Sequence, residues 1–236
     1  MTNSPRRWGY VYERGAAQPD VEAAEHLGRF APSVVRSLTS GSLAGRETML
    51  VHVGLASWIV QDGNYGDFEV GGSYRFAPEF YPSEVNLCAE VADVGSRALR
   101  HKSGGMHEVR GQVIRATDSN WVVDFGLRAY QDSPPPPWAK AGVWVSGLVY
   151  VGIDPFFYFE RLKDEPGMPN LFQDWSVRRI FLETTRWIEK ADATGRMVST
   201  RDGGSPTFVE ASKTDAWHDD GGNAHYVLEC ELQVAG

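Results

Sequence analysis

Near its C-terminal end the chain carries the pattern that most restricts its fold: Tyr226, Leu228, Cys230 and Leu232 alternate with Val227, Glu229 and Glu231. A period of two puts each set on its own face of an extended strand, and an apolar row opposite a polar one predicts a half-buried antiparallel strand. Residues 142–151 repeat the texture, with Val143, Val145, Gly147 and Val149 set against Trp144, Ser146, Leu148 and Tyr150. Residues 49–60 are rich in branched and aromatic side chains and end at the turn-forming cluster 62–67, after which residues 68–76 read as a second strand. Residues 109–116 and 121–130 read as a hairpin around the polar loop Thr117-Asp118-Ser119-Asn120. Residues 175–189 and 207–217 read as further strands before the last one.

Residues 85–102 read in two ways. Leu87, Val91 and Val94 share a helical face, and Arg97, Arg100, His101 and Lys102 precede Ser103-Gly104-Gly105 as at a helix end. Yet Val91, Asp93, Gly95, Arg97 and Ala98 recur in the same order as Val122, Asp124, Gly126, Arg128 and Ala129. The second copy is strand-like, so the comparison favours a strand for the first. A glycine inside both copies predicts a bulge, the device by which a small sheet curls.

Together these segments predict a mainly β protein. A curled antiparallel barrel of five or six strands occupies residues 47–160, a smaller antiparallel β-meander over 161–236 packs on it, and residues 1–46 form a short irregular or helical arm. The arm's helical stretch is residues 20–27, with acidic residues in its first turn. In strand number and bulge position the barrel resembles OB-like barrels, a likeness of fold that transfers no function. A chain of 236 residues, 42% of them hydrophobic, can bury a core without metals or disulfides, which excludes disordered, collagenous and coiled-coil classes.

No apolar run approaches the roughly 18 residues that cross a bilayer, and residues 1–7 lead into no signal-like stretch, so no membrane association and a cytoplasmic location are expected. Cys88 and Cys230 lie far apart without CxxC spacing and read as two buried thiols. The basic residues are 18 Arg and 5 Lys, a balance that points to a high-GC bacterial host.

The net charge of −8 is unevenly spread. Residues 1–46 carry +2, residues 47–94 carry −7, residues 95–128 carry +3, residues 129–201 balance, and residues 202–236 carry −6. Two acidic blocks therefore flank a modest basic one, a layout that favours a basic partner over a phosphate backbone.

No phosphate-cradling glycine loop, dinucleotide fingerprint, zinc-protease helix, nucleophile elbow or calcium loop occurs, so no catalytic residue and no cofactor are assigned. His101 with His107, and His218 with His225 beside Asp219 and Asp220, could each meet across a hairpin in a set that zinc accepts, but solvated polar loops explain them as well, and no metal is assigned. Asp93 with Arg97 and Asp124 with Arg128 read as structural ion pairs. Pro134 to Pro137 form a stiff polyproline loop tipped by Trp138, and Phe156 to Phe159 read chiefly as a plug for a barrel end.

Three readings of function follow. The first is a non-enzymatic acidic protein-interaction module, of the kind a bacterial immunity or inhibitor protein provides, docking on a basic protein through Tyr65, Trp138, Phe156, Phe157, Tyr158, Trp217, Asp219 and Asp220. The second is a small-molecule binding barrel, or an enzyme whose site is not contiguous in sequence. The third is single-stranded nucleic-acid binding, in which Arg97, Arg100, Lys102, Arg110, Arg115 and Arg128 track phosphates while Trp121 and Tyr130 stack on bases.

Overall fold

A computed structural model describes residues 48–82, 87–90, 96–191, 195–203 and 205–233. The N-terminal arm with its helical stretch, and most of the first motif copy including Asp93, lie outside the described residues. In chain order the strands are β1 (Thr48–Ala56), β2 (Ser73–Phe76), β3 (Pro78–Pro82), β4 (Cys88–Ala89), β5 (Ala98–Ser103), β6 (Met106–Ala116) and β7 (Trp121–Asp124). They continue as β8 (Arg128–Gln131), β9 (Trp144–Ile153), β10 (Gln173–Glu183), β11 (Trp187–Ala191), β12 (Met197–Arg201), β13 (Phe208–Ala211) and β14 (His225–Gln233). Two short helices, α1 (Ser57–Gln61) and α2 (Phe157–Glu160), follow β1 and β9.

The protein is mainly β, as expected. Strands β6, β7, β8, β3 and β9 pair in a ring, because β9 bonds to both β3 and β6, and this closes a five-stranded barrel. All its pairings are antiparallel except β3 with β8, which meet in parallel where Glu79 faces Tyr130. From β9 the sheet continues through β1, β14 and β10, and both β2 and β13 pair with β10. The period of two decides what is buried. Val109 and Val113 on β6, Val123 on β7, Ala129 on β8 and Val145, Val149 and Val151 on β9 are at most 2% exposed. They share one apolar cluster with Phe80, Trp121, Phe125 and Leu127 that also takes in Val51, Trp175, Tyr226 and Leu228 from the strands beyond. The expected row on β14 is buried as its alternation requires.

A second, smaller cluster forms where Val122 and Tyr130 meet Ala77, Tyr158, Leu162 and Leu171. The segment Thr185–Pro206 falls outside the compact unit that holds the barrel and the sheet, and its described residues include the β11–β12 hairpin.

Several local expectations are corrected. Residues 49–60 are one strand only to Ala56; Ser57 then donates its amide to the Ala224 carbonyl at 2.8 Å and its hydroxyl to the Gly222 carbonyl at 2.7 Å, and α1 begins. Residues 121–130 are two strands, since Gly126 turns the chain with φ +95° and Asp124 faces Arg128 across the resulting hairpin. The second-copy glycine is thus a turn residue and no bulge. The strand expected at 68–76 starts at Ser73, the one at 175–189 breaks after Glu183, and the one at 207–217 ends at Ala211. Of the two thiols expected to be buried, Cys230 is, whereas Cys88 lies exposed on the short strand β4.

Candidate functional site

The face around α1 and the 214–224 loop is built by polar side chains that close backbone loops. Gln61 Nε2 donates to the carbonyls of Ala216 at 2.6 Å and Gly222 at 2.9 Å, which ties the loop to the last turn of α1. Asp67 Oδ1 accepts from the Thr214 hydroxyl at 2.8 Å and the Ala216 amide at 3.1 Å. Between these anchors the chain can only bulge outward, and Trp217 at the apex is 63% exposed. The next residue, His218, bonds Asp215 through Nδ1 and Oδ1 at 2.7 Å and holds that carboxyl below its ordinary range. Asp220 follows in the left-handed region with φ +49°, exposed, ahead of two glycines that also have positive φ.

The loop joining α1 to β2 bridges two neighbours. At one end Asp67 holds the 214–224 loop; in its middle Asn64 Nδ2 donates to the Pro155 carbonyl at 3.3 Å and the Tyr65 hydroxyl to the Asp154 carbonyl at 2.9 Å. Tyr65 is half-buried, and burial raises its phenol above the ordinary range. Tyr65, Trp217, Asp219 and Asp220 therefore belong to one connected surface, and Phe156 and Phe157 continue from Pro155, half-buried and packed ring to ring at 4.6 Å.

Tyr158 and Trp138 are placed differently. Tyr158 is 2% exposed, donates to the Pro169 carbonyl at 2.9 Å and accepts the Leu171 amide at 2.9 Å, so its ring is internal. Asp154 puts it there: the buried carboxylate accepts the Tyr130 hydroxyl at 2.5 Å and the amides of Phe156, Tyr158 and Phe159 at 3.1 to 3.2 Å. Trp138 is half-buried, edge-on to Trp121 at 6.3 Å. Trp58, 39% exposed on α1, went unread because it sits in a run that resembles a strand, and Phe159, 49% exposed under Lys163, because its neighbours are buried.

The basic segment is largely neutralised. Arg97 and Arg128 both reach Asp124, at 3.3 and 3.7 Å; Lys102 pairs with Glu108 at 2.9 Å, Arg110 with Glu90 at 2.5 Å and Arg115 with Glu165 at 2.8 Å. Of the six, Arg100 alone has no carboxylate at ion-pair distance among the described residues. Trp121 and Tyr130 are 0% exposed, so the two rings expected to stack on bases are core residues. The barrel interior is filled by its own side chains. Open space occurs at the shallow depression under the polyproline loop, lined by Thr117, Asp118, Pro134 and Lys140 among others. Among the described residues no three His, Cys, Asp or Glu side chains are placed to hold a metal ion, and no helix is long and apolar enough to cross a membrane. Comparison with protein-family models, with curated proteins and with solved structures finds no match.

Proposed function

We propose that the chain is a non-enzymatic protein-interaction module of the immunity or inhibitor kind, and that the face formed by α1 and the 214–224 loop docks on a basic partner. The observation that carries this reading is Trp217, 63% exposed on a loop anchored on both sides, in a surface that holds Asp62, Asp67, Asp215, Asp219 and Asp220. Residues 57–67 and 214–224 contain no Lys or Arg. An anchored aromatic ring buries much area at small entropic cost, and an excess of carboxylates attracts a cationic surface and raises the rate of encounter. An exposed thiol at Cys88 suits a reducing compartment, which supports a cytoplasmic location. The filled barrel and the paired arginines take support from the small-molecule and nucleic-acid alternatives.

The test is recovery of a partner from bacterial host lysate by the full chain and by a Trp217→Ala/Asp220→Asn/Asp62→Asn variant. A partner held at about 50 mM salt, released at about 500 mM and lost by the variant supports the reading. Recovery of nothing, or equal recovery by both proteins, overturns it.

A further inference from the structure

The β5–β6 hairpin meets the β1–β14–β10 part of the sheet through histidines. His52 on β1 stacks on His101 of β5 with ring centroids 3.6 Å apart and planes within 12°, and His107 of β6 lies edge-on to His101 at 5.6 Å. At the hairpin tip, a Cβ built on Gly104 would stand 3.6 Å from Phe208 of β13 and 3.9 Å from Val227 of β14, so the tip rests on that sheet. From His52 a row of charges crosses the sheet. His52 Nε2 is 3.3 Å from Glu229 Oε2, Glu229 faces Arg179 of β10, and Arg179 forks onto Glu210 of β13 at 2.9 and 3.0 Å. The hairpin adds Arg100 and the Lys102–Glu108 pair, and from β9 Tyr150 lies across Gly54 and Gly105.

Protonation has a definite cost in this arrangement. His107 Nδ1 lies 3.0 Å from the Gly105 carbonyl and donates to it, which leaves Nε2 a bare acceptor. His52, with Nε2 turned to Glu229, has a bare Nδ1. Both bare nitrogens are buried without a partner among the described residues. A proton on either creates an N–H at a buried position with no acceptor among the described residues, and a second charge stacked on the first adds repulsion.

We infer that His52, His101 and His107 form a proton-sensitive clasp, which holds β5 and the hairpin tip against β1 and β14 when the histidines facing them are neutral and releases them on protonation. Burial, with His101 adding, holds His52 below the ordinary imidazole range against the pull of Glu229; burial likewise holds His107 at about 4. Groups depressed in this sense favour the closed form above about pH 6.5 and withdraw that support as pH falls toward about 4.

Amide hydrogen exchange of the full chain, corrected for intrinsic rates and compared at about pH 7.5 and about pH 5, reads the clasp directly. Protection in residues 99–105 falls about tenfold or more while β7 and β8 keep theirs, and in His101→Phe, which keeps the stacked ring without its charge, the fall is about twofold smaller. In parallel, the His52 imidazole signal titrates below about 6.5 and moves up in His101→Phe. An equal fall in both proteins, an equal fall in β7 and β8, or an unmoved His52 midpoint overturns the inference. Should His101→Phe fail to fold, the wild-type titration decides: a His52 midpoint below the ordinary imidazole value sustains the clasp, and one at or above about 6.5 overturns it.

Discussion

The Tyr226 hydroxyl donates to Asp219 Oδ2 at 2.7 Å and accepts the Asp215 amide at 3.3 Å, so the last strand of the sheet fixes the loop that presents Trp217. Asp219 Oδ2 also accepts the Asp215 amide at 3.2 Å, which makes the three residues one closed unit. Burial and Asp219 hold the phenol well above its ordinary range, so it remains a donor throughout the physiological pH range.

Tyr226→Phe removes that donor and leaves a carboxylate with one partner fewer. The variant is expected to lose about 1.5–3 kcal/mol, the usual cost of breaking a hydrogen bond to a charged group, while the barrel stays intact. Urea denaturation measures the loss, and faster exchange of the 214–224 amides locates it. An unshifted midpoint would show that the loop holds Trp217 without β14.

Glu79 gives the protein a pH dependence of the opposite sign to the histidines. It is 3% exposed on β3 with Oε2 unpartnered. Burial, with Asp154 and Asp132 adding, pushes its carboxyl up to about 8 against the pull of the Tyr81 hydroxyl. A carboxyl raised in the folded state adds stability that is whole below about 4.5 and lost as pH rises to about 8. Glu79→Gln is therefore expected to match the wild type near pH 4.5 and exceed it at pH 8 by on the order of 4 kcal/mol. Thermal unfolding across this range checks it, and parallel curves for the two proteins would refute it.

Much of this architecture was legible as periodicity. β14 alternates apolar and polar residues, β9 sets Val145, Val149 and Val151 against Trp144, Leu148 and Tyr150, and both strands form where those patterns lie. What escaped was set by tertiary contacts. Trp58, Ile59 and Val60 have strand-like side chains, yet the bonds from Ser57 and Gln61 to Gly222 draw them into a helical turn. The hairpin at Gly126 has a three-residue connection without the Asn-Gly or Asp-Gly signature of tighter turns. At the candidate site, Trp217 and its neighbouring acids are adjacent in the chain and could be read directly. That Tyr130 and Tyr158 are internal depends on Asp154, whose role as their shared acceptor no spacing rule encodes.

At the β7–β8 turn, backbone geometry is expected to outweigh charge. Arg97 and Arg128 are about half exposed where they meet Asp124, so Arg97→Ala and Arg128→Ala should each change stability by less than about 1 kcal/mol, and less still in high salt. Gly126→Ala meets no close neighbour, the nearest atom being Met49 Cε at 3.5 Å, but must hold φ +95°, at a cost of about 1–2 kcal/mol. Guanidinium denaturation of the three variants ranks them. An arginine variant that costs more than the glycine one would reverse the assignment.

Gly54 and Tyr150 should behave as a coupled pair. A Cβ on Gly54 would lie 1.6 Å from the Tyr150 hydroxyl oxygen and 2.2 Å from Cζ, so the ring occupies the space that only a glycine leaves. Gly54→Ala forces the ring out of its groove and is expected to cost about 1–3 kcal/mol, as overpacking does. Tyr150→Leu shortens the side chain and frees that space at its own cost in buried area. In the double variant the alanine methyl meets no ring, so its penalty should largely vanish, and the two single costs should exceed the cost of the pair by about 1 kcal/mol or more. A double-mutant cycle by urea denaturation measures the coupling; additive losses would mean that Tyr150 gives way to a methyl group without strain.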